Sequence, residues 1–281
     1  FTGRGVDNPR ETVKLDFTAH GFHAMVLGAG PAFAIDPVFY GNTSYYMVYS
    51  KTDLSPRNDE AYTCHHHEGH NSNFKNQSEQ SSFLKTSGTG NPTGTNLRVY
   101  RIAISCTGEY TQFHGGTIPL ALGAMATSMN RINQVYEKDL TIRMVFIPNN
   151  DTLIFTDPIT DPFPNNLGTC LNISDSLIRA TIGVPNFDIG HVYTTFGGGL
   201  AAFGVCQGPK AVAGTGLSYP VGDYFDVDYV CHEIGHQFTG NHTFNYCPHQ
   251  GGLPVEPGSG STIMAYAGLC GTDNVATNSV D

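Results

Sequence analysis

The sequence predicts an α/β sandwich on a mostly parallel twisted sheet, preceded by a small β-rich segment. Three observations carry that reading. After residue 97, apolar runs of strand period alternate with runs of helix period. Residues 86–96, TSGTGNPTGTN, hold no large apolar side chain and read as a flexible linker. Before them, short apolar runs are separated by Gly, Asn and Pro.

In chain order, Val13–Thr18, Phe22–Leu27 and Tyr45–Tyr49 read as strands of the N-terminal segment, residues 1–85. Residues 57–82, with CHHHEGHNSNFKNQSEQSS, read as a polar loop. Leu97–Ser105 is a buried strand. In residues 118–138, Leu122, Met125, Met129, Ile132 and Tyr136 recur at steps of three and four, giving a helix with one core face. Leu140–Ile147 returns to strand alternation, with Leu140, Ile142, Met144 and Phe146 on one side. Ser174–Ile182 reads as a shorter helix and Phe187–Tyr193 as another strand.

Composition narrows the function. Of 281 residues, 40% are hydrophobic and 14% charged, too apolar for a disordered chain. A net charge of −10 without a basic cluster excludes a general nucleic-acid partner. No apolar run approaches the roughly 18 residues of a membrane span. Seven Cys in a chain poor in Lys and Glu predict an oxidising, secreted or extracellular setting, with cytosolic metal binding as the competing reading. The chain begins at Phe1 without a basic-then-apolar signal, and is expected to be an internal piece of a longer precursor.

Residues 231–244 read CHEIGHQFTGNHTF. His232 and His236, four apart on a helix, share one face and can meet one metal ion. Glu233 beside them suits a general base for a metal-activated water. Gly240 reads as the helix stop, after which a turn can bring His242 onto the same ion. Three neutral nitrogens with one open position describe catalytic zinc, since a structural site would be closed by a fourth protein ligand.

With these residues in place, the chain from 97 to 281 resembles the metzincin zinc endopeptidases, and more narrowly the adamalysin/reprolysin-like branch with its secreted bacterial relatives. STIMAY at 261–266 resembles the Met-turn, which implies Met264 as the floor beneath zinc. Tyr266 resembles a tyrosine that touches the metal or steadies the oxyanion. GGGLAAFG at 197–204 resembles the rim strand against which an extended substrate lies, implicating Gly198, Gly199, Leu200 and Ala201. The plain alternatives are a core methionine, a surface aromatic and a flexible glycine loop. The chain departs from the pattern twice. Thr239 stands where the family has Gly, so the helix either ends one residue later or carries strain. Only 17 residues follow Met264, where the family continues into a helix, so a truncated C-terminal end is expected.

Cys247 and Cys270 bracket the segment from the third His to the Met-turn, and a disulfide there would pin the floor of the site. Pairings among Cys106, Cys170, Cys206 and Cys231 stay open, with Cys231 read as better suited to a bridge than to a metal. Cys64 is the expected odd cysteine. If residues 1–85 are a propeptide, its thiolate could fill the open zinc position and hold the enzyme latent until the 86–96 linker is cut. The alternative is an exposed polar loop whose His65, His66, His67 and His70 bind metal loosely or not at all. Calcium is possible but unsupported, because Asp223–Asp228 lacks the D-x-D-x-D-G spacing.

The resulting expectation is a secreted, monomeric zinc metalloendopeptidase, made as a zymogen, that hydrolyses peptide bonds of extended protein substrates. Two rivals stand beside it: a zinc-retaining binding module, against which Glu233 argues, and a cell-wall amidase, against which the Met-turn argues.

Overall fold

A computed structural model of the chain describes residues 1–28, 30–54, 64, 96–247 and 253–279. The 86–95 part of the expected linker and most of the 57–82 loop lie outside the described residues.

The N-terminal segment forms an antiparallel meander of Thr2–Arg4 (β1), Thr12–Thr18 (β2), Gly21–Leu27 (β3), Phe33–Pro37 (β4) and Tyr46–Ser50 (β5) in sequential order. Its register pairs Leu15 with Ala24 and Ile35 with Val48. β1 and β4, too short or too polar to show a period, are additions to the sequence reading.

The second unit opens with Arg98–Cys106 (β6) and Gly108–Phe113 (α1), a single short helix capped by the Thr107 hydroxyl. Ile118–Leu140 (α2) follows, started by Pro119 in its first turn and ended by Thr141 in the left-handed region. Leu140 therefore belongs to the helix, half exposed, and the strand Ile142–Phe146 (β7) starts later than expected. Leu167–Thr181 (α3) begins seven residues before the predicted Ser174, because Asn166 caps it through Thr169. Ile189–Thr194 (β8), Gly198–Ala201 (β9) and Ala213–Gly216 (β10) complete the sheet, and His232–Gln237 (α4) follows a π-helical turn at Tyr224–Cys231.

Among the described residues the second sheet runs β7-β6-β8-β10-β9. β6 pairs in parallel with β7 and β8, and β10 in parallel with β8. β9 alone in that sheet is antiparallel, with Leu200 opposite Gly214. The sheet is thus mixed, parallel except at one rim. The described part of the chain contains no helix long and apolar enough to cross a membrane.

One core joins α2, β6, β8 and the helix leading to the site, through Met125, Met129, Ile132, Ile104 and Ile234. Met25 and Leu27 of β3 belong to the same core. The side of α2 away from the sheet is also covered: Thr127, Arg131 and Gln134 are buried, because β2 and β3 lie across them.

Candidate metal centre

The π turn and α4 form one continuous helix that delivers His232, Glu233 and His236, all buried, into the interior. π turns are rare and gather at functional sites. Phe238 closes α4, and the next residue, Thr239, takes φ 70°. The stop is therefore Thr239, not Gly240. Its amide bonds the His236 carbonyl at 2.7 Å, and Gly240 N–H donates to Gly235 O at 2.9 Å. The β-branched residue carries the strain that glycine would avoid. This turn sends the chain back so that His242 faces the helix.

The three imidazoles converge. His236 Nε2 lies 3.1 Å from Nε2 of both His232 and His242, and His232 and His242 are 3.2 Å apart. The Nδ1–H groups of His232 and His236 donate to the carbonyls of Ile263 (2.6 Å) and Gly240 (2.7 Å). Those bonds fix the tautomer, so the Nε2 lone pairs of both rings point at one spot. Lone pairs so crowded repel one another unless a cation sits among them.

Cys64 completes the group. Its Sγ is 3.5 Å from Nε2 of both His236 and His242, and the four ligand atoms lie within 4.8 Å of one another. A tetrahedral zinc with bonds of about 2.05 Å to nitrogen and 2.3 Å to sulfur needs edges of about 3.3 Å and 3.6 Å. The donor set therefore fits zinc in chemistry and in size. Burial, then the Glu233 carboxylate, push the Cys64 thiol well above its ordinary value, so a thiolate there depends on a cation to hold it.

Around this group, Tyr266 packs on His242 with ring centres 4.7 Å apart and donates its hydroxyl to the Cys64 carbonyl at 3.2 Å. Met264 lies beneath α4, where its sulfur touches Gly235. Gly198–Ala201 form β9, which among the described residues has a strand neighbour on one side only. Its other side meets Cys64 through a parallel bridge at Gly199. A cavity of about 290 Å³ opens beside β9, lined by Asn165, Asn166, Phe196 and Leu200.

Cys247 and Cys270 form a disulfide and close the floor together with Phe244, Ala265 and Tyr266. No bridge forms among Cys106, Cys170, Cys206 and Cys231: Cys106 reaches Thr111, Cys170 reaches the Pro164 carbonyl, and Cys231 is packed in the core. The bridge expected for Cys231 is thereby corrected. Asp223 and Asp228 face Lys51, and Asp226 faces Arg131, so the cations of the protein itself neutralise the acidic stretch weighed for calcium.

One residue at the site escaped the sequence reading. Glu256 accepts from the Thr243 and Thr262 hydroxyls at 2.5 Å and from the amides of Ser261 (2.7 Å) and Thr262 (3.1 Å). Although burial opposes it, these donors hold its carboxyl below the ordinary value. It ties the segment after His242 to the turn before Met264. The only signal was a single carboxylate in the Gly/Pro/Ser-rich stretch GGLPVEPGSGS.

A mixed α/β layer with a converging three-histidine set is the arrangement of a metzincin-like metallopeptidase. More narrowly, the model of metallopeptidase family M12B, reprolysin-like, matches residues 96–281, and the chain belongs to that family. Membership implies zinc as the metal and proteins or peptides as substrates. Comparison with curated proteins finds no match.

Proposed function

We propose that the chain is a secreted zinc endopeptidase, captured with Cys64 on its metal centre. The observation that carries this reading is the meeting of three Nε2 atoms beside a buried Glu233. His232, His236 and His242 would hold the zinc. Once bound, zinc supplies a Lewis acid that acidifies water and polarises a carbonyl.

The protein's own groups do the rest. Glu233 takes a proton from the attacking water and hands it to the departing amine, as base and then acid. Tyr266, whose hydroxyl already donates to a carbonyl in the site, supplies a hydrogen bond to the oxygen that gains charge. The side of β9 away from β10, once cleared of Cys64, pairs with an extended substrate, and the cavity beside it receives a side chain. Cys64 lies across both features, at Gly199 and at the imidazoles, and so acts as a block that a cut between residues 64 and 96 would release.

The test is incubation with unfolded casein, read by mass spectrometry, for the chain cut on both sides of Cys64, with Glu233→Ala alongside. Fragments from the parent and none from the variant, with zinc retained in both, support the reading. Equal cutting by both sinks the assignment of Glu233.

A further inference from the structure

We infer that residues 1–54 remain bound as a permanent second chain after cleavage, and that only the stretch carrying Cys64 is removable. This builds on the reading of Cys64 as a releasable block, and divides the N-terminal segment into two parts with different fates.

The seam between the first sheet and the second unit is built like an interior. Met25 and Leu27 are almost fully buried, in the same core as Met125 and Ile132. Above them, buried and half-buried polar groups of α2 find their partners in β2. Thr127 and Asn130 donate to Asp16 at 2.8 and 3.0 Å, and Gln134 donates to the Thr12 carbonyl at 2.7 Å. Lys14 pairs with Glu137 at 2.7 Å. The loop after β2 joins as well, His20 Nε2 donating to the Leu120 carbonyl at 2.8 Å.

Charges lock the two ends of the seam. Arg131 of α2 pairs with Asp36 of β4 and with Asp226 of the π turn. Lys51, directly after β5, reaches Asp223 (2.9 Å), Asp228 (3.2 Å) and the Ser279 hydroxyl (3.1 Å), all buried. Withdrawing residues 1–54 would leave two neighbouring buried carboxylates without their cation and Arg131 without one of its two anions. A buried pair that loses one member is strongly destabilised. Asp226 and Asp228 belong to the turn that feeds α4 and Asp223 stands at its start, so the metal-binding helix itself rests on this seam. A cleft of about 180 Å³ opens at the seam beside Asp36, Arg131 and Asp226.

Cys64 is held differently, by its thiol, by one bridge to Gly199 and by the Tyr266 hydroxyl. Nothing among these contacts obliges it to leave together with the sheet.

The experiment places site-specific protease sequences at residues 56–61 and at 88–93 of the full chain. The folded, zinc-loaded protein is cut at both, and native mass spectrometry and size exclusion follow at submicromolar concentration, in 0.15 and 1 M salt. The expected result is a one-to-one complex of the N-terminal and C-terminal pieces, with the Cys64 peptide gone. Separation of the N-terminal piece at either salt overturns the inference. Casein cleavage on the same samples reads the latency of Cys64 instead, so a retained N-terminal piece with no gain in activity sinks that reading alone. Lys51→Met should speed dissociation of the cut complex roughly tenfold or more. Lys14→Ala, which removes one pair at the margin of the seam, provides a folded comparison with a smaller effect in the same direction.

Discussion

The sulfur of Met264 rests on the backbone of Gly235, the residue directly before His236. A Cβ built at Gly235 would overlap that sulfur, and at Gly240 it would stand 3.4 Å from the Met264 methyl. The sequence of α4 thus leaves a smooth patch on the helix just where the floor of the site must approach. Gly235→Ala should force Met264 or the helix to shift and cost about 1–3 kcal/mol, the usual penalty of overpacking. Denaturant unfolding and zinc titration would check this. An unchanged midpoint with unchanged zinc affinity would show that the contact is incidental.

Thr239 offers the opposite test. Its φ of 70° places a β-branched residue where L side chains are strained. Thr239→Gly should stabilise the zinc-loaded protein by about 1 kcal/mol and leave the three-histidine set intact. Thermal melting reads the stability, and metal content reads the site.

Cys64→Ala should raise peptidase activity of the uncut chain while leaving one zinc per chain, because His232, His236 and His242 remain. Activity on casein and metal analysis on the same sample decide it. Loss of zinc in this variant would mean that the thiol is a structural ligand, not a removable one.

Glu256→Gln retains the size of the side chain but removes the charge that four donors satisfy. Hydrogen bonds to a charged group contribute about 1.5–3 kcal/mol each, so a loss of that order is expected. Urea unfolding measures it, and the His242 turn should become the first region to exchange its amides.

Acid should weaken the fold through two histidines. Burial, and then His20, hold His114 down to about 3, and burial holds His191 down to about 4, so both are neutral in the folded chain. On unfolding below about pH 6.5 each takes up a proton. Their stability is thus fully present above that pH and is lost as pH falls toward 4 and 3. Asp226 works against them: burial raises its carboxyl to about 6, and protonating it in the fold recovers part of the loss. From pH 7 to 5 the two histidines lose about 4 kcal/mol and Asp226 returns about 1, a net loss of about 2–3 kcal/mol. Melting midpoints across that range check the sign, and His191→Asn should flatten the slope.

Strands β2 and β3 and helix α2 were legible from an apolar period, and β5, β6 and β8 from short runs rich in β-branched and aromatic residues, although β5 is largely exposed and β8 is buried throughout. β10 was not, since AGTG has no apolar period; its glycines serve close packing against β8. The π turn was invisible for another reason. Asp223 just before it and Asp226 and Asp228 within it look like a solvent-facing acidic run, and Lys51 and Arg131, brought from far along the chain, make them interior groups.

By itself, the sequence singled out the three histidines that the fold brings together. Ligand spacing on a helix is a local property, and H-E-x-x-H with a third histidine ten residues after the first carries its geometry in the backbone period. The Cys247–Cys270 disulfide was also within reach, because both cysteines lie close in sequence to that local motif. Only the tertiary structure decided that Cys64 lies on the imidazoles, that Glu256 binds the floor, and that residues 1–54 share a core with the second unit. Cys64 meets His236 and His242 across 172 and 178 positions, and Glu256 gathers its partners from 5 to 13 residues away in a stretch without regular secondary structure. These contacts depend on how two sheets and a helix close around one interior, and no periodicity within a single segment encodes that.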